Sequence, residues 1–149
     1  MPPVIVATGY EDTVRNRLGV TSGELPDSVI NDRMVIDMAE AAIMRRVPRY
    51  NDITDVFDRL LLESAVINYV CYLLAPSMAR RLEVEVTTID TRWKKERVNW
   101  DAVAQKFLSD VESDLSGITT VEVVGLTDVP LGGIANWTNA EDRSRDRGI

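Results

Sequence analysis

The strongest constraint on the fold is the stretch 53–75, in which 16 of 23 residues are apolar. After Leu60 those residues occupy nearly the whole circumference of a helix. A helix that is apolar all round must be walled in by neighbours on several sides. The sequence therefore predicts a central helix over 53–75, with Asp52 as its N-cap. Pro76 follows and either kinks this helix or opens a short one ending near Leu82.

The flanking segments supply the walls. A short helix is expected over 10–18, stopped by Gly19. Another should run from Pro26 to about Val47, since Pro suits the first helical position. Val29, Ile36, Ile43 and Val47 form one stripe on it, with Ile30, Met34, Met38 and Ala42 beside them. Pro48 ends it. Asn99 is placed to cap a further helix whose Trp100, Val103, Ala104, Phe107, Leu108, Val111 and Leu115 fall within an arc of roughly 140°, with Gly117 as its stop.

Two regions break the helical pattern. Residues 83–90 begin with period-two alternation and are rich in β-branched side chains, which reads as an extended segment or short strand. Residues 91–98 are charged around Trp93 and read as a loop or second hairpin arm. Beyond Ile118, residues 119–124 have the composition of a strand, and the remainder has too few large apolar residues to fold alone. The expected class is mainly α: a small helical bundle with a short β or extended segment and an extended C-terminal arm. The body covers 1–118, with 83–98 as an excursion, and the arm covers 119–149.

Composition removes several chemistries. The chain has no histidine, hence no His-based triad, no imidazole general base and no imidazole metal ligand. Neither GxxxxGK[ST] nor GxGxxG occurs. Cys71, the single cysteine, sits in an apolar run and reads as a buried thiol. Asp52, Asp55 and Asp58 are spaced by three, as are Asp110 and Ser113 beside Glu112 and Asp114. These acids read as caps and solvated faces rather than a metal site. No enzyme and no cofactor is expected. The opening residues lack the basic character and length of a signal peptide. The dense apolar stretch 65–75 is too short to span a bilayer, so no membrane association is expected.

A net charge of −7 opposes general affinity for a nucleic-acid backbone. The basic group Arg92, Lys94, Lys95 and Arg97 around Trp93 is offset by Glu83, Glu85, Asp90 and Glu96. Trp93, Lys94, Lys95 and Arg97 therefore read as a protein-contact hairpin. Trp137, in a polar Asn-rich tail, either packs back on its own helices or anchors the tail on another chain.

Residues 18–117 carry a resemblance. Leu18-Gly19-Val20, Leu25-Pro26-Asp27, Ile30, Met38-Ala39-Glu40 and Val47-Pro48 precede a long helix. That helix reads Leu60-Leu61-Leu62-Glu63-Ser64-Ala65-Val66 and continues through Leu74-Ala75-Pro76. Together they resemble the head–tail connector, or adaptor, proteins of tailed bacteriophages. The resemblance implies a ring of protomers, commonly about twelve-fold, beneath the portal, with a stopper or tail-completion protein on its other face. DNA would pass through without tight binding. It places the chain in the virion neck, after assembly in the host cytoplasm. It also implies a C-terminal segment that grips the portal, here with Ile134 and Trp137 as apolar anchors and Arg143, Arg145 and Arg147 facing acidic or carbonyl groups. The competing reading is a helical DNA-packaging accessory or regulator that binds DNA directly; an enzyme with a carboxylate-bound metal is a more distant one.

Overall fold

A computed structural model describes residues 3–86 and 98–125, with side chains of the first stretch described through Arg81. The described residues are mainly helical and contain no strand. α1 spans Tyr10–Leu18, α2 Asp27–Ile30, α3 Ile36–Arg46, α4 Val56–Val86 and α5 Trp100–Ser116. A 3₁₀ turn, Tyr50–Asp52, lies between α3 and α4.

α1 turns Tyr10, Val14 and Leu18, spaced by four, into the core. It ends at Gly19, whose φ of 71° is the left-handed conformation that glycine adopts without a Cβ penalty. Arg15 is buried beside this stripe. Its Nε donates to the Leu25 carbonyl at 2.8 Å, and its terminal nitrogens meet Asp12 and Asp27. One guanidinium thus fastens α1 to the start of α2.

The continuous helix expected over 26–47 is two helices. The break at 31–35 combines a local contact with long-range ones. The Asp32 side chain accepts from the Met34 amide at 2.8 Å, offering the backbone an alternative to the helical ladder. Asn31 is occupied by α1: its amide donates to Glu11 at 3.0 Å and its carbonyl accepts from the Tyr10 hydroxyl at 2.5 Å. Ile30, Ile36, Ile43 and Val47 are buried as the stripe requires, but Met34 and Met38 face outward. On α3, Glu40 is buried and accepts from the amides of Val4 and Ile5, pinning the N-terminal segment.

The cap of α4 is Asp55, whose carboxylate accepts from the Asp58 amide at 2.9 Å. Asp52 instead closes the 3₁₀ turn and pairs with Arg49 at 2.9 Å. α4 is 31 residues long and passes through Pro76 without ending. The Ser77 hydroxyl donates to the Leu74 carbonyl at 2.7 Å, adding a bond in the turn that proline weakens. The backbone stays helical through 83–86, which the alternation had suggested was extended. Once a helix is nucleated each added residue contributes a bond, and Ala79, Arg80, Arg81 and Leu82 are strong helix formers. Four alternating residues do not overcome that.

By length and composition the helical run Val56–Arg81 contains an 18-residue window, of mean hydropathy 1.4, long and apolar enough to cross a membrane. The helical run is longer than its dense part at 65–75. Half of that window is buried within the body. The helix packs against α1, α3 and most extensively α5, and buries Leu62, Ala65, Val66, Ile67, Val70, Cys71, Leu74, Ala75 and Met78.

Asn99 caps α5 as expected, its side chain accepting from the Ala102 amide at 3.1 Å. Ala104, Phe107, Val111 and Leu115 form its buried stripe, and Trp100, Val103 and Leu108 border it. Gly117 lies against α4, where a Cβ would sit 2.8 Å from a Leu61 methyl.

Candidate functional site

Of the carboxylates that read as caps or solvated groups, Asp55 does cap α4, while Asp58, Glu112 and Asp114 fasten the helices and the start of the C-terminal segment. On α5, Asp114 accepts from the Ser64 hydroxyl at 2.7 Å and the Asn68 amide at 2.8 Å. From the other side Arg17 of α1 donates to the Asn68 carbonyl at 2.6 Å and to the Ser64 carbonyl at 3.2 Å. The side chains of α4 therefore relay between a cation on α1 and an anion on α5, fixing the register of three helices. Among the described residues no group of His, Cys, Asp or Glu is arranged to hold a metal ion.

Residues 118–125 form a strap over the body. Asp58 faces inward from the first turn of α4 and takes three hydrogen bonds: Thr119 amide at 3.2 Å, Thr120 amide at 3.0 Å and Thr120 hydroxyl at 2.6 Å. At the other end the Val124 amide donates to the Arg46 carbonyl at 2.7 Å, and Arg46 Nε donates to the Val124 carbonyl at 2.5 Å. The same guanidinium grips Glu112 of α5 with both terminal nitrogens, at 2.5 and 2.8 Å. Val121 and Val123 pack on the core between these clips. The segment 119–124, which the sequence marked as strand-like, pairs with no strand among the described residues. Among them it is held by side chains and one backbone bond.

Both clips depend on charge. The Thr120 hydroxyl holds the Asp58 carboxyl below its ordinary 3.8; burial opposes this and is outweighed, with help from the two amides. Glu112 lies below its ordinary 4.5, chiefly because Arg46 hydrogen-bonds its charged form. Groups with depressed folded pKa values contribute stability that is complete above their unfolded values and is lost as pH falls through the folded ones. The strap should therefore hold fully above about pH 5 and weaken progressively below about pH 4. Glu112 is 40% exposed, so solvent screening reduces its share. Protection of the Thr119 and Thr120 amides, taken as exchange relative to the intrinsic rate at each pH, should fall on acidification in the wild type. In Asp58→Asn that protection should be low already at neutral pH and depend less on pH. Unchanged protection in that variant would show that Asp58 does not hold the strap.

Between α4 and α5 lies an open groove of about 530 Å³, lined by Tyr72, Leu73 and Pro76 on one side and Asn99, Asp101, Ala102, Ala104 and Gln105 on the other. A more exposed apolar feature is the first turn of α4, where Val56, Phe57 and Leu60 stand in solvent.

The residues singled out from sequence, Trp93, Lys94, Lys95 and Arg97 together with Ile134, Trp137, Arg143, Arg145 and Arg147, lie outside the described residues. The structure gives the point from which the C-terminal chain departs: Gly125, directly after the Arg46 clip. Sequence reasoning missed the receptors Arg46, Asp58 and Glu112 for this strap, and Glu40 for the N-terminal segment. Asp58 and Thr120 are 62 residues apart, and no local pattern links them. Comparison of the sequence with protein-family models, with curated proteins and with solved structures finds no match.

Proposed function

We propose that this chain is a structural head–tail adaptor of a tailed phage virion, forming a ring under the portal and linking it to a stopper or tail protein. The observation that carries this reading is the clipped strap. Asp58 at one end and Arg46 with Glu112 at the other fix the root of the C-terminal chain on a helical body. The 24 residues beyond Gly125 then leave from a defined point, and fully extended they reach roughly 80 Å. A fixed root with a long polar extension suits a part that joins one protein to another. Ile134 and Trp137 serve as apolar anchors on the portal, and Arg143, Arg145 and Arg147 meet its acidic or carbonyl groups. The net charge of −7 per protomer suits a ring that lets DNA slide past without adhesion.

Electron microscopy of the purified protein, alone and mixed with portal, tests the reading. Closed rings stacked on the portal are expected. Failure to associate with portal, or tight salt-sensitive DNA binding at physiological ionic strength, would instead favour a packaging accessory or regulator that touches DNA directly.

A further inference from the structure

Residues 3–8 precede α1 and belong to no helix. Ile5 and Val6 are 5% and 7% exposed, whereas Val4 stands in solvent. Among the described residues, the hydrogen bonds of this segment all end on Glu40 of α3. The Val4 amide donates to both carboxylate oxygens, at 3.0 and 2.9 Å, and the Ile5 amide to one of them at 3.1 Å. Glu40 is buried and pairs with no Arg or Lys among the described residues. A buried carboxylate without a cation depends on N–H donors. Two successive backbone amides supply them here. The arrangement has the parts of a peptide receptor: an anionic cradle for the main chain beside an apolar seat for two β-branched side chains.

The segment joins α1 through Gly9. Its φ of 89° is left-handed, and a Cβ there would meet nothing within 4 Å, so the torsion rather than crowding calls for glycine. Among the described residues no backbone–backbone hydrogen bond outside the helices involves residues 3–9. Rotation at Gly9 therefore lifts the segment away as a unit without breaking a helix, and Glu40 then meets water. A lifted segment finds the same cradle on another copy with every contact reproduced. Exchange of an identical element is a low-cost route to assembly. The segment and the cradle are different surfaces, so the contact is head-to-tail, which is the polarity that generates rings.

We propose that the Glu40 cradle is a binding site for residues 4–6 of a second copy of this chain, taken up in exchange for the chain's own. Its consequence for the ring rests on the adaptor reading. Neighbours held side by side present the segment at an effective concentration in the millimolar range, so each subunit becomes tied to the next.

Cross-linking between two full-length variants tests the site without any partner. Helical side chains lean toward the preceding turn, so the exposed Asp37 lies beside the place where Glu40 receives Val4. Val4→Cys chains are mixed with Asp37→Cys chains under mild oxidation. The native Cys71 is fully buried, and burial pushes its thiol up to about 12, so it stays out of the reaction. Val4→Cys should link to Asp37→Cys at least about tenfold faster than to Ser109→Cys, an exposed control on α5. Equal rates would overturn the site. Adding Ile5→Asp to the Asp37→Cys chain vacates its cradle while leaving Glu40 in place, so the link should form faster still. Adding Glu40→Ala there instead should lower it to the control rate. A link insensitive to both changes would also overturn the proposal. In rings of the Val4→Cys, Asp37→Cys double variant the disulfides should run from subunit to subunit, and rings linked only within each chain would refute exchange between neighbours. If the two-chain link forms in solution but no ring appears with portal, the site stands and the adaptor reading fails.

Discussion

Val70→Asp should leave the chain unfolded at room temperature. Val70 lies at the middle of α4 with no solvent exposure, among Val66, Ile67, Cys71 and Leu74. Among the described residues its surroundings are apolar, so a carboxylate there has no partner and no water. An unpaired buried charge costs several kcal/mol even after partial relaxation. The loss of the packed Val side chain adds about 1.5–3 kcal/mol. Total stability for a domain of this size is about 5–15 kcal/mol, so the two together approach or exceed it. Ile67→Asp, one turn closer to the edge, should be nearly as damaging. Leu61→Asp is a sharper test of the geometry. Its side chain is only half-buried, against Gly117, so it should lower the melting temperature without abolishing folding. Helical circular dichroism with thermal melts reads all three. A cooperative wild-type melt in Val70→Asp would mean that α4 is not the centre of the body.

The central helix was legible because an apolar circumference needs no knowledge of what covers it, although in the fold Tyr69, Tyr72, Leu73 and Pro76 leave one stripe of it partly open. α1 was legible through its Gly19 stop, and α5 through its apolar stripe and its Asn99 cap, all of them local signals; the Tyr10, Val14 and Leu18 stripe of α1 emerges only in the fold. The break at 31–35 was not, because it depends on Asn31 meeting Tyr10 and Glu11, about 20 residues away. The choice of Asp55 over Asp52 as cap turned on where the 3₁₀ turn ended, a matter of three residues. Least legible were the clips. Arg46, Glu112 and Val124 come together across separations of 66 and 78 residues. Each taken alone resembles an ordinary surface charge or an ordinary apolar residue. The proposed docking residues fall beyond Gly125; what the fold adds to them is a rooted starting point.

Deleting residues 134–149 should separate folding from attachment. The truncated chain retains α1 to α5, the strap and both clips, because Asp58 and Arg46 hold nothing beyond Val124 among the described residues. Its stability should therefore change by no more than about 1 kcal/mol, read as a small shift in melting temperature. Attachment to portal-bearing heads should respond very differently. A tryptophan at the centre of an interface commonly contributes 2 kcal/mol or more, and the deletion removes it with Ile134 and three arginines. Portal affinity should fall by about a hundredfold or more. The effect should divide by residue type. Trp137→Ala should weaken attachment at every salt concentration. Replacing Arg143, Arg145 and Arg147 together with Gln should weaken it most at low ionic strength, where their charges are least screened. Attachment by the truncated chain equal to that of wild type would refute the docking arm. It would leave the contact with the portal to the helical body, whose exposed α4 turn then becomes the first surface to test.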